Sequence, residues 1–400
     1  MVKISALKPY IPYNPEEFST NPYDVIEKQE ELKLKETPNS LIHLILPDGE
    51  GEEIYQNAAK AYKRYKEEDL IYKEEIPSIF VYRQESEVFS QQGFILGLSL
   101  QDYEDGNIVK HEHTREKALK DRTKHILATN VAPGLVWSVY QSDSKINKIM
   151  EEIKKNKPKF EFKKFGYDHI IWQETNTKII DKLKKLLKNK KVYIADGHHR
   201  AASAAEYRNI QLSNPDISHS DKAPWQFLLS YLASDDQTRI LPYNRIIKKV
   251  TDTEATFLNK IRENFEIIPM DKAFNPASKN DIAMCLKGKW YKLIIKEKSF
   301  KNVVDSLDVS ILQNEILNPI LKIKDIRSDD NIFFSGGIQD PILLEKYIIK
   351  DGNDLLFNLY PVDIKDLERI ADTGGVMPPK STWFDPKVLS GLVLHDLSEG

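Results

Sequence analysis

The sequence predicts a mixed protein of class α+β, with α/β as the alternative, because strand-like and helix-like segments alternate along the whole chain. Short apolar and β-branched runs favour strands, and lysine-rich stretches with apolar residues at helical spacing favour helices. With 400 residues, of which 40% are hydrophobic, the chain is long enough for two domains. We expect a boundary near residues 235–250 and divide the chain into domains of residues 1–240 and 241–400.

The N-terminal region alternates between the two element types. Residues 177–191 illustrate a helix, since Ile179, Ile180, Leu183 and Leu187 fall on one face and the lysines on the other. We predict strands at residues 78–84, 93–100, 170–172, 191–195 and 226–233, and helices near residues 24–34, 114–126, 147–158, 177–191 and 200–207.

The C-terminal region continues in the same mixed way. Cys285 lies in an apolar alternation that predicts a strand, and we expect it to be a core thiol. We predict helices at residues 252–264 and 307–317, and strands at residues 266–268, 290–295 and 354–362.

Composition excludes several classes of protein. Lys and Arg total 58 against 61 Asp and Glu, so the net charge of −3 gives no sign of a nucleic-acid partner. A single cysteine excludes a disulfide framework and a zinc site built from cysteines. No apolar run reaches about 18 residues, and the N-terminus lacks the apolar stretch of a secretory signal. We therefore expect a cytoplasmic protein with no membrane partner.

The strongest local signal is the segment VYIADGHHRAASAAEYR, residues 192–208. A β-rich run is interrupted by Asp196-Gly197 and followed by good helix formers, which predicts a strand, a tight turn and a helix start. The free amides of a first helical turn, at the positive end of the helix dipole, bind phosphate. His198, His199 and Arg200 would add side-chain donors. The alternative is that Asp196 only caps the helix and the histidines lie on the surface.

A second candidate is the segment Lys110 to Thr114, which reads KHEHT. On a strand, His111 and His113 would share one face and Glu112 the other. Glu112 is then a candidate general base, or the segment helps to hold a divalent metal. The alternative is that Thr114 is the N-cap of the next helix. The residues alone leave this choice open.

Two weaker candidates lie at the ends of the chain. Near the C-terminus, GGVMPPKSTWFDPK contains a lysine and two hydroxyls after a rigid Pro-Pro step, which indicates an anion-binding loop or a packed C-terminal turn. Its candidate phosphate-binding residues are Lys380, Ser381 and Thr382. Near the N-terminus, Asp24 either caps a helix or faces the site. His169 and Trp172 are a possible pair on the substrate side.

These blocks together resemble the domain-of-unknown-function family 1015 (DUF1015). The similarity rests on NPYDVI, VYRQ, HEHT, YIADGHHRAASA, ILPYNR and MPPKSTWFDPK, in this order. One departure is Asn244 in ILPYNR, where we expect His in most relatives. If that His transfers a proton in the relatives, this protein would differ from them in rate or substrate.

The Asp-Gly-His-His-Arg turn is also similar to the phosphate box of the ParB/sulfiredoxin superfamily, which includes free serine kinases. This resemblance implies a ParB/sulfiredoxin-like N-terminal core and a second α+β region whose last loop returns to the site. In those kinases a glutamate takes the proton from the serine hydroxyl. Glu112 is our candidate for that role, and Asp24 is the second.

The first functional hypothesis is therefore a phosphotransferase that uses ATP or ADP with Mg²⁺ to phosphorylate serine or a similar small molecule. The turn would hold the phosphates, Arg200 would neutralise charge, and Lys380 would close over the anion. His199 would hydrogen-bond a transferring oxygen. Asp196 or Glu112 would accept the hydroxyl proton or coordinate Mg²⁺. The residues proposed for the phosphate or nucleotide are Gly197, His198, His199, Arg200, Lys380, Ser381 and Thr382, and those for the substrate are Asp24, His111, His113 and Trp172.

Two alternatives remain open from the sequence. One is a phosphohydrolase that cleaves phosphoserine or a related ester with a metal-bound water. Its candidate ligands are His111, Glu112, His113, Asp196 and His198. The other is a nucleotide-sensing regulator without catalysis. The sequence identifies neither the metal, the acceptor nor the oligomeric state.

Overall fold

The computed structural model describes residues 1–112, 114–217, 219–297, 299–337 and 340–398. Helices and strands alternate along the chain and assemble into mixed sheets with helices packed against them, so the predicted α+β class is confirmed. No helix within these ranges is both long and apolar enough to cross a membrane.

Every predicted helix is present, although several ends shift by a few residues, and the structure contains further helices that the sequence did not predict. The α-helices are α1 (Pro15–Phe18), α2 (Lys28–Lys35), α3 (Ile42–Ile45), α4 (Glu53–Glu67), α5 (Leu100–Glu104), α6 (Glu116–Thr129), α7 (Ser144–Ile153), α8 (Thr177–Leu187), α9 (His198–Leu212), α10 (Glu254–Ile261), α11 (Asp308–Leu312), α12 (Pro341–Ile349) and α13 (Ile364–Asp372). Short 3₁₀ turns occupy Pro224–Gln226 and Asp235–Gln237, and a π-helical turn, Gln313–Leu317, follows α11.

The strands include all of the predicted ones. In chain order they are β1 (Ile4–Ser5), β2 (Tyr10–Pro12), β3 (Ile71–Lys73), β4 (Ile79–Glu85), β5 (Ser90–Ser99), β6 (Ile108–Val109), β7 (Val131–Ala132), β8 (Val136–Tyr140), β9 (Phe160–Lys164), β10 (Tyr167–Glu174), β11 (Val192–Asp196), β12 (Phe227–Ser234), β13 (Ile240–Leu241), β14 (Tyr243–Ile247), β15 (Phe265–Met270), β16 (Asp281–Leu286), β17 (Lys289–Ile295), β18 (Ile332–Gly336), β19 (Leu355–Leu359), β20 (Trp383–Phe384) and β21 (His395–Asp396).

The chain divides into two compact units. Unit 1 contains Met1–Thr238 and Pro386–Gly400, and unit 2 contains Arg239–Asp385. The division after Thr238 lies within the range expected for a boundary, but the end of the chain belongs to unit 1 rather than to the second unit. The cause is tertiary pairing, because β21 is antiparallel to β7 and Leu394 bridges to Tyr10. Such pairing leaves no local signal in the sequence.

Unit 1 is built on a large mixed sheet with the strand order β6-β11-β8-β12-β5-β4-β10-β9, and β1 pairs with β5 outside this path. Three helices, α7, α8 and α9, cover one face with apolar side chains. In α7 these are Ile146, Ile149, Met150 and Ile153, which recur at the i, i+3, i+4, i+7 spacing of one helix face. The lysine-rich face of α8 points away from this core, as its spacing predicts.

The C-terminal segment, which we define as residues 386–398, runs over the strands of the same sheet. The buried Gln91 side chain donates a hydrogen bond to the Pro386 carbonyl at 3.0 Å, and Gln84 donates to the Lys387 carbonyl at 2.9 Å. Buried amide groups must be satisfied, so these two bonds fix the path of the segment across β4 and β5.

Residues 110–112 are not part of a strand, because β6 ends at Val109. The segment then leaves the sheet, and α6 begins at Glu116 with Arg115, not Thr114, as its N-cap. An alternation of polar residue types is compatible both with a strand and with an extended loop, so the sequence left this choice open. His113 lies outside the described residues.

Unit 2 contains a sheet with the order β15-β17-β16-β19-β14-β18. Helices α10, α11 and α13 pack on one core cluster, and α12 packs on another. Cys285 of β16 is buried in the second cluster, and burial raises the pKa of its thiol to about 11, as a core thiol requires. The predicted helix over residues 307–317 exists as α11 with its π-helical continuation.

Because unit 1 contains buried histidines, we expect the protein to lose stability in mild acid. His125 on α6 is 4% exposed, and burial lowers its pKa from 6.5 to about 4. Because the unfolded chain binds this proton below about pH 6.5 and the folded state does not, the free energy of unfolding falls as the pH falls from 6.5 towards 4. His125 alone should lower the free energy of unfolding by about 1–2 kcal/mol between pH 7 and pH 5. Urea denaturation of the wild type and of His125→Gln at both pH values measures this loss of stability.

The variant is expected to lose less stability than wild type on acidification, because glutamine has no proton to gain. His219→Gln, at an exposed position, is the matched control and should follow wild type. Equal pH dependence in His125→Gln and wild type would mean that burial does not keep the His125 ring neutral.

Candidate functional site

The site is built around the 196–200 turn, which connects β11 to α9. Gly197 is the N-cap residue and has a φ of +95°, in the left-handed region that favours glycine. A Cβ atom at this position would lie 2.9 Å from Nε and 3.1 Å from Cζ of Arg200. Glycine therefore permits the sharp turn and also lets the Arg200 side chain fold back over it.

Asp196 lies between two cations. Its Oδ2 accepts a hydrogen bond from Nη2 of Arg200 at 2.8 Å, and its Oδ1 accepts one from Nζ of Lys387 at 3.0 Å. A more distant carboxylate, Asp24, has Oδ2 3.8 Å from the same Nη2 of Arg200. Asp24 does not cap the nearby helix, since the N-cap of α2 is Glu27.

These ion pairs are largely buried, with side-chain exposures of 20% for Asp196 and 11% for Arg200 and Lys387. Burial alone would raise the pKa of Asp196, but Lys387 and Arg200 lower it further than burial raises it. Burial would likewise lower the pKa of Arg200, but Asp24 and Asp196 raise it above its usual value. Asp196 and Arg200 therefore stay charged near neutral pH.

His199 is oriented by the start of α6. The backbone N–H of Arg115 donates to its Nε2 at 3.2 Å, which places the proton of the neutral ring on Nδ1. Burial lowers the pKa of His199, and the charge of Arg115 lowers it further. At neutral pH the ring is therefore a hydrogen-bond donor through Nδ1 and carries no charge.

His198 faces the loop that follows β6. The backbone N–H of His111 approaches its Nε2 at 3.5 Å, and its Nδ1 lies 3.8 Å from Oε2 of Glu112. The ring is 5% exposed, whereas the Glu112 side chain is 43% exposed. Burial lowers the pKa of His198 well below its usual value, and the neighbouring His111 lowers it further, so this ring is also neutral.

The two loops meet because β6 and β11 are parallel neighbours, with Val192 opposite Ile108 and Tyr193 opposite Val109. The carboxyl ends of parallel strands lie at one edge of a sheet, so the residues after β6 reach the turn after β11. His111 packs edge-on against His198, with ring centroids 4.5 Å apart. Its Nδ1 is buried without a hydrogen-bond partner in the described part of the chain, and burial lowers its pKa to about 4.

A cavity of about 60 Å³ adjoins Arg200 within unit 1. Its walls are mainly apolar, and Arg200 is among the lining residues. The Nη1 atom of Arg200 is buried and has no partner among the described atoms. Tyr23 and Arg122 also line the cavity, and the Arg122 guanidinium lies 4.6 Å from the centroid of the Tyr23 ring. Small-molecule pockets usually measure about 300–1,000 Å³, so this cavity is too small for a nucleotide. A nucleotide would have to bind at the open side of the turn.

The structure does not bring Trp172 and His169 to the turn. Both lie on β10, which is five strand steps from β11, or about 24 Å at the usual spacing of strands. Trp172 donates its indole N–H to the Asn156 carbonyl at 3.1 Å, and His169 is hydrogen-bonded to Tyr82 at 2.7 Å. Both side chains are buried.

The predicted C-terminal loop residues lie in unit 2. Nζ of Lys380 is 3.1 Å from the Tyr243 hydroxyl, and Ser381 donates to the Pro378 carbonyl. The closing of Lys380 over an anion, and the parts of Ser381 and Thr382 in phosphate binding, stay predictions. Asn244 is fully buried, and its Oδ1 accepts the Leu359 N–H at 3.3 Å.

Sequence reasoning missed Lys387, although it ends the same MPPKSTWFDPK block as Lys380. No local pattern indicates which of the two lysines reaches Asp196, since that depends on how the C-terminal segment crosses the sheet. Across the described ranges, no group of three or more His, Cys, Asp and Glu residues is placed to hold a metal ion.

Several solved structures are similar to this chain. A variant of free serine kinase in complex with ADP is 12% identical with a TM-score of 0.38, over 72% of this chain and 87% of that one. A conserved hypothetical protein from Pyrococcus furiosus is 11% identical with a TM-score of 0.36, over 72% and 90%. A C-terminally truncated SbnI from Staphylococcus aureus is 10% identical with a TM-score of 0.37, over 74% and 85%. Similarity at this level carries no functional argument.

No curated protein matches the sequence. A family model matches residues 8–310, and this family is described as a protein of unknown function (DUF1015). The match covers well over half of the chain and includes the 196–200 turn, Asp24 and Glu112. The chain therefore belongs to the DUF1015 family.

Proposed function

We propose that the 196–200 turn binds the phosphates of ATP or ADP and that the protein transfers a phosphoryl group to the hydroxyl of serine or a similar small molecule. The observation that carries the proposal is the buried guanidinium of Arg200, folded over a glycine turn at the N-terminus of a helix, with Nη1 unpartnered among the described atoms. A buried donor without an acceptor is costly, and a phosphate oxygen would satisfy it.

The surroundings of the turn favour an anion. The amides of the first turn of α9 have no acceptor within the helix, and the helix dipole is positive at this end. His199 can add its Nδ1–H to a phosphate oxygen, because Nε2 is already occupied by the Arg115 amide. Phosphoryl transfer depends mainly on positioning and on neutralising charge, which this set of donors would supply.

Glu112 is a better candidate than Asp196 for the base that accepts the hydroxyl proton. Asp196 is held by Lys387 and Arg200, and its lowered pKa makes it a poor proton acceptor. Glu112 reaches solvent and lies beside His198. In the proposed reaction the acceptor oxygen bonds to the terminal phosphorus, its proton passes to Glu112, and the bond from that phosphorus to the nucleotide breaks.

Mg²⁺ would accompany the nucleotide and neutralise phosphate charge. In such sites it is usually held by one or two carboxylates together with phosphate oxygens rather than by a cage of protein ligands. Asp24 is a partly exposed carboxylate beside the turn, at 39% exposure, and fits this requirement.

Replacement of Arg200 tests phosphate binding. We expect Arg200→Gln to weaken ADP binding at least about tenfold, because a charge-assisted hydrogen bond contributes roughly 1.5–3 kcal/mol. Isothermal titration calorimetry with ADP and Mg²⁺ measures the dissociation constant.

Arg208→Gln is the matched control. Arg208 is also a buried arginine of α9 and pairs with Glu104 at 2.7 Å, but it lies about 12 Å further along the helix. We expect its affinity for ADP to equal that of wild type. An unchanged affinity in a folded Arg200→Gln protein would reject the turn as the phosphate site.

Turnover is tested by phosphorus NMR of wild-type protein with serine, Mg²⁺ and either ATP or ADP. We expect a phosphoserine signal, and a loss of kcat of at least about 100-fold in Glu112→Gln with unchanged ADP affinity, as for removal of a general base. Glu116→Gln, at an exposed glutamate on α6, is the control and should retain wild-type kcat.

Other outcomes of this measurement identify the alternatives. Release of inorganic phosphate from phosphoserine, without nucleotide, would indicate a phosphohydrolase. Tight ADP binding without any turnover over a panel of hydroxyl acceptors would indicate a nucleotide-sensing regulator.

A further inference from the structure

Arg245 of unit 2 is a buried charge without a carboxylate partner among the described residues. Its side chain lies on β14 and is among the largest fully buried ones, with an exposure of 1%. Its neighbours in register on the two adjacent strands, β18 and β19, are the aromatic residues Phe334 and Phe357. Because residues opposite each other in a sheet point to the same face, the guanidinium occupies a position typical of an apolar side chain.

The hydrogen bonds of Arg245 leave its charge uncompensated. Nη1 donates to the Tyr243 carbonyl and Nη2 to the Lys380 carbonyl at 2.9 Å, and both acceptors are uncharged. Nε is buried and has no partner among the described atoms. Burial lowers the pKa of Arg245 to about 9, and the one ionisable neighbour in the described ranges that opposes this shift is Tyr243. The group is therefore still a cation near neutral pH, and a buried cation without an anion costs free energy.

A second cation, Lys380, lies in the loop before β20. The loop runs beside β14 because β20 pairs with β13, the strand that directly precedes β14. The backbone of Lys380 has a φ of +56°, in the left-handed region that residues other than glycine rarely adopt. Its ammonium is exposed, and across the described part of the chain no carboxylate pairs with it. This loop therefore presents a positive charge that no described acidic side chain balances.

Tyr243 connects the two cations. Its carbonyl accepts from Arg245, and its hydroxyl lies 3.1 Å from Nζ of Lys380. An ammonium group can only donate, so the Tyr243 oxygen is the acceptor in this contact, and its own O–H proton is left for another acceptor. The ammonium carries three N–H groups, and the Tyr243 hydroxyl is its one hydrogen-bond partner among the described atoms. Donors and positive charge are thus in excess at this loop.

We propose that the loop at Lys380 binds a small oxyanion, a phosphate or a carboxylate, and that Arg245 is the buried positive charge that attracts it. The Lys380 ammonium and the Tyr243 hydroxyl would bind the anion directly. The guanidinium would act through its charge, which water screens only weakly because the group is buried. All of these residues belong to unit 2, so the inference goes beyond the proposed function and does not rest on it.

Lysine labelling of the wild-type protein tests the site, with an N-hydroxysuccinimide ester as reagent and mass spectrometry to read the rate at each residue. We expect saturating inorganic phosphate or acetate to slow the labelling of Lys380 at least about threefold compared with chloride at the same ionic strength. The reason is that an ammonium bound to an anion gives up its proton less readily, and only the neutral amine reacts.

Lys322 is the matched control for this measurement. It is also an exposed lysine of unit 2 with a positive φ, +62°, but its Nζ donates to the Pro319 carbonyl at 2.8 Å. Its rate should be the same in all three salts. Protection of Lys380 by phosphate alone would identify a phosphate site, and protection by acetate alone a carboxylate site. Equal labelling of Lys380 in the three salts would overturn the proposal, and this outcome needs no variant to fold.

Two variants test the part of Arg245. Arg245→Gln keeps a hydrogen-bond donor and removes the charge, so we expect the anion to protect Lys380 at least about threefold less than in wild type. Arg245→Lys keeps the charge and should retain most of the protection. An arginine needed only for its bonds to the two carbonyls would not produce this order. Full protection of Lys380 in a folded Arg245→Gln protein would remove Arg245 from the site.

The variant Arg200→Gln separates this inference from the proposed function. We expect the anion to protect Lys380 in Arg200→Gln as it does in wild type, and loss of that protection would reject a site made by unit 2. If wild type does not bind ADP while phosphate or acetate still protects Lys380, the proposed function is wrong and this inference stands. If wild type binds ADP and neither salt protects Lys380, the inference is wrong and the proposed function stands.

Discussion

The site depends on one backbone constraint, the left-handed conformation of Gly197. This residue ends β11 and starts α9 within a single step, so the carboxylate of Asp196 and the first amides of the helix lie side by side. The absence of a side chain also leaves room for the Arg200 guanidinium, which would meet a Cβ atom at 2.9 Å. Without that turn, neither the direction of the helix nor the contact between Arg200 and Asp196 would be possible.

Asp196 connects three parts of unit 1 that are far apart in sequence: the end of β11, the first turn of α9 and the C-terminal segment. A buried carboxylate costs free energy unless cations and hydrogen bonds compensate it, and here Arg200 and Lys387 do so. The same arrangement is suited to binding an anion. A phosphate need not separate Arg200 from Asp196, since the guanidinium carries several N–H donors and its Nη1 has no partner among the described atoms.

The sequence predicted the structural features that depend on neighbouring residues and missed those that depend on residues far apart in the chain. The turn at Asp196-Gly197 and the helix after it follow from local propensities, and the structure has both. The sequence left the conformation of the segment after Val109 open, because its position depends on the parallel pairing of β6 with β11. Trp172 looked like a substrate contact only because it is aromatic and near a lysine-rich helix. Lys387 could not be chosen over Lys380, since only the path of the C-terminal segment distinguishes them.

The histidines of the site have a different physical role from the cations. Burial lowers the pKa values of His111, His198 and His199, so the rings are neutral donors and acceptors near pH 7. A neutral ring with one nitrogen occupied by a backbone amide offers a hydrogen bond of fixed direction at the other. In the proposed reaction the charge for binding phosphate would come from Arg200, while His199 would contribute direction. This division would place the strong, non-directional attraction on the cation and leave the alignment of a transferring oxygen to the imidazole, the combination on which phosphoryl transfer depends.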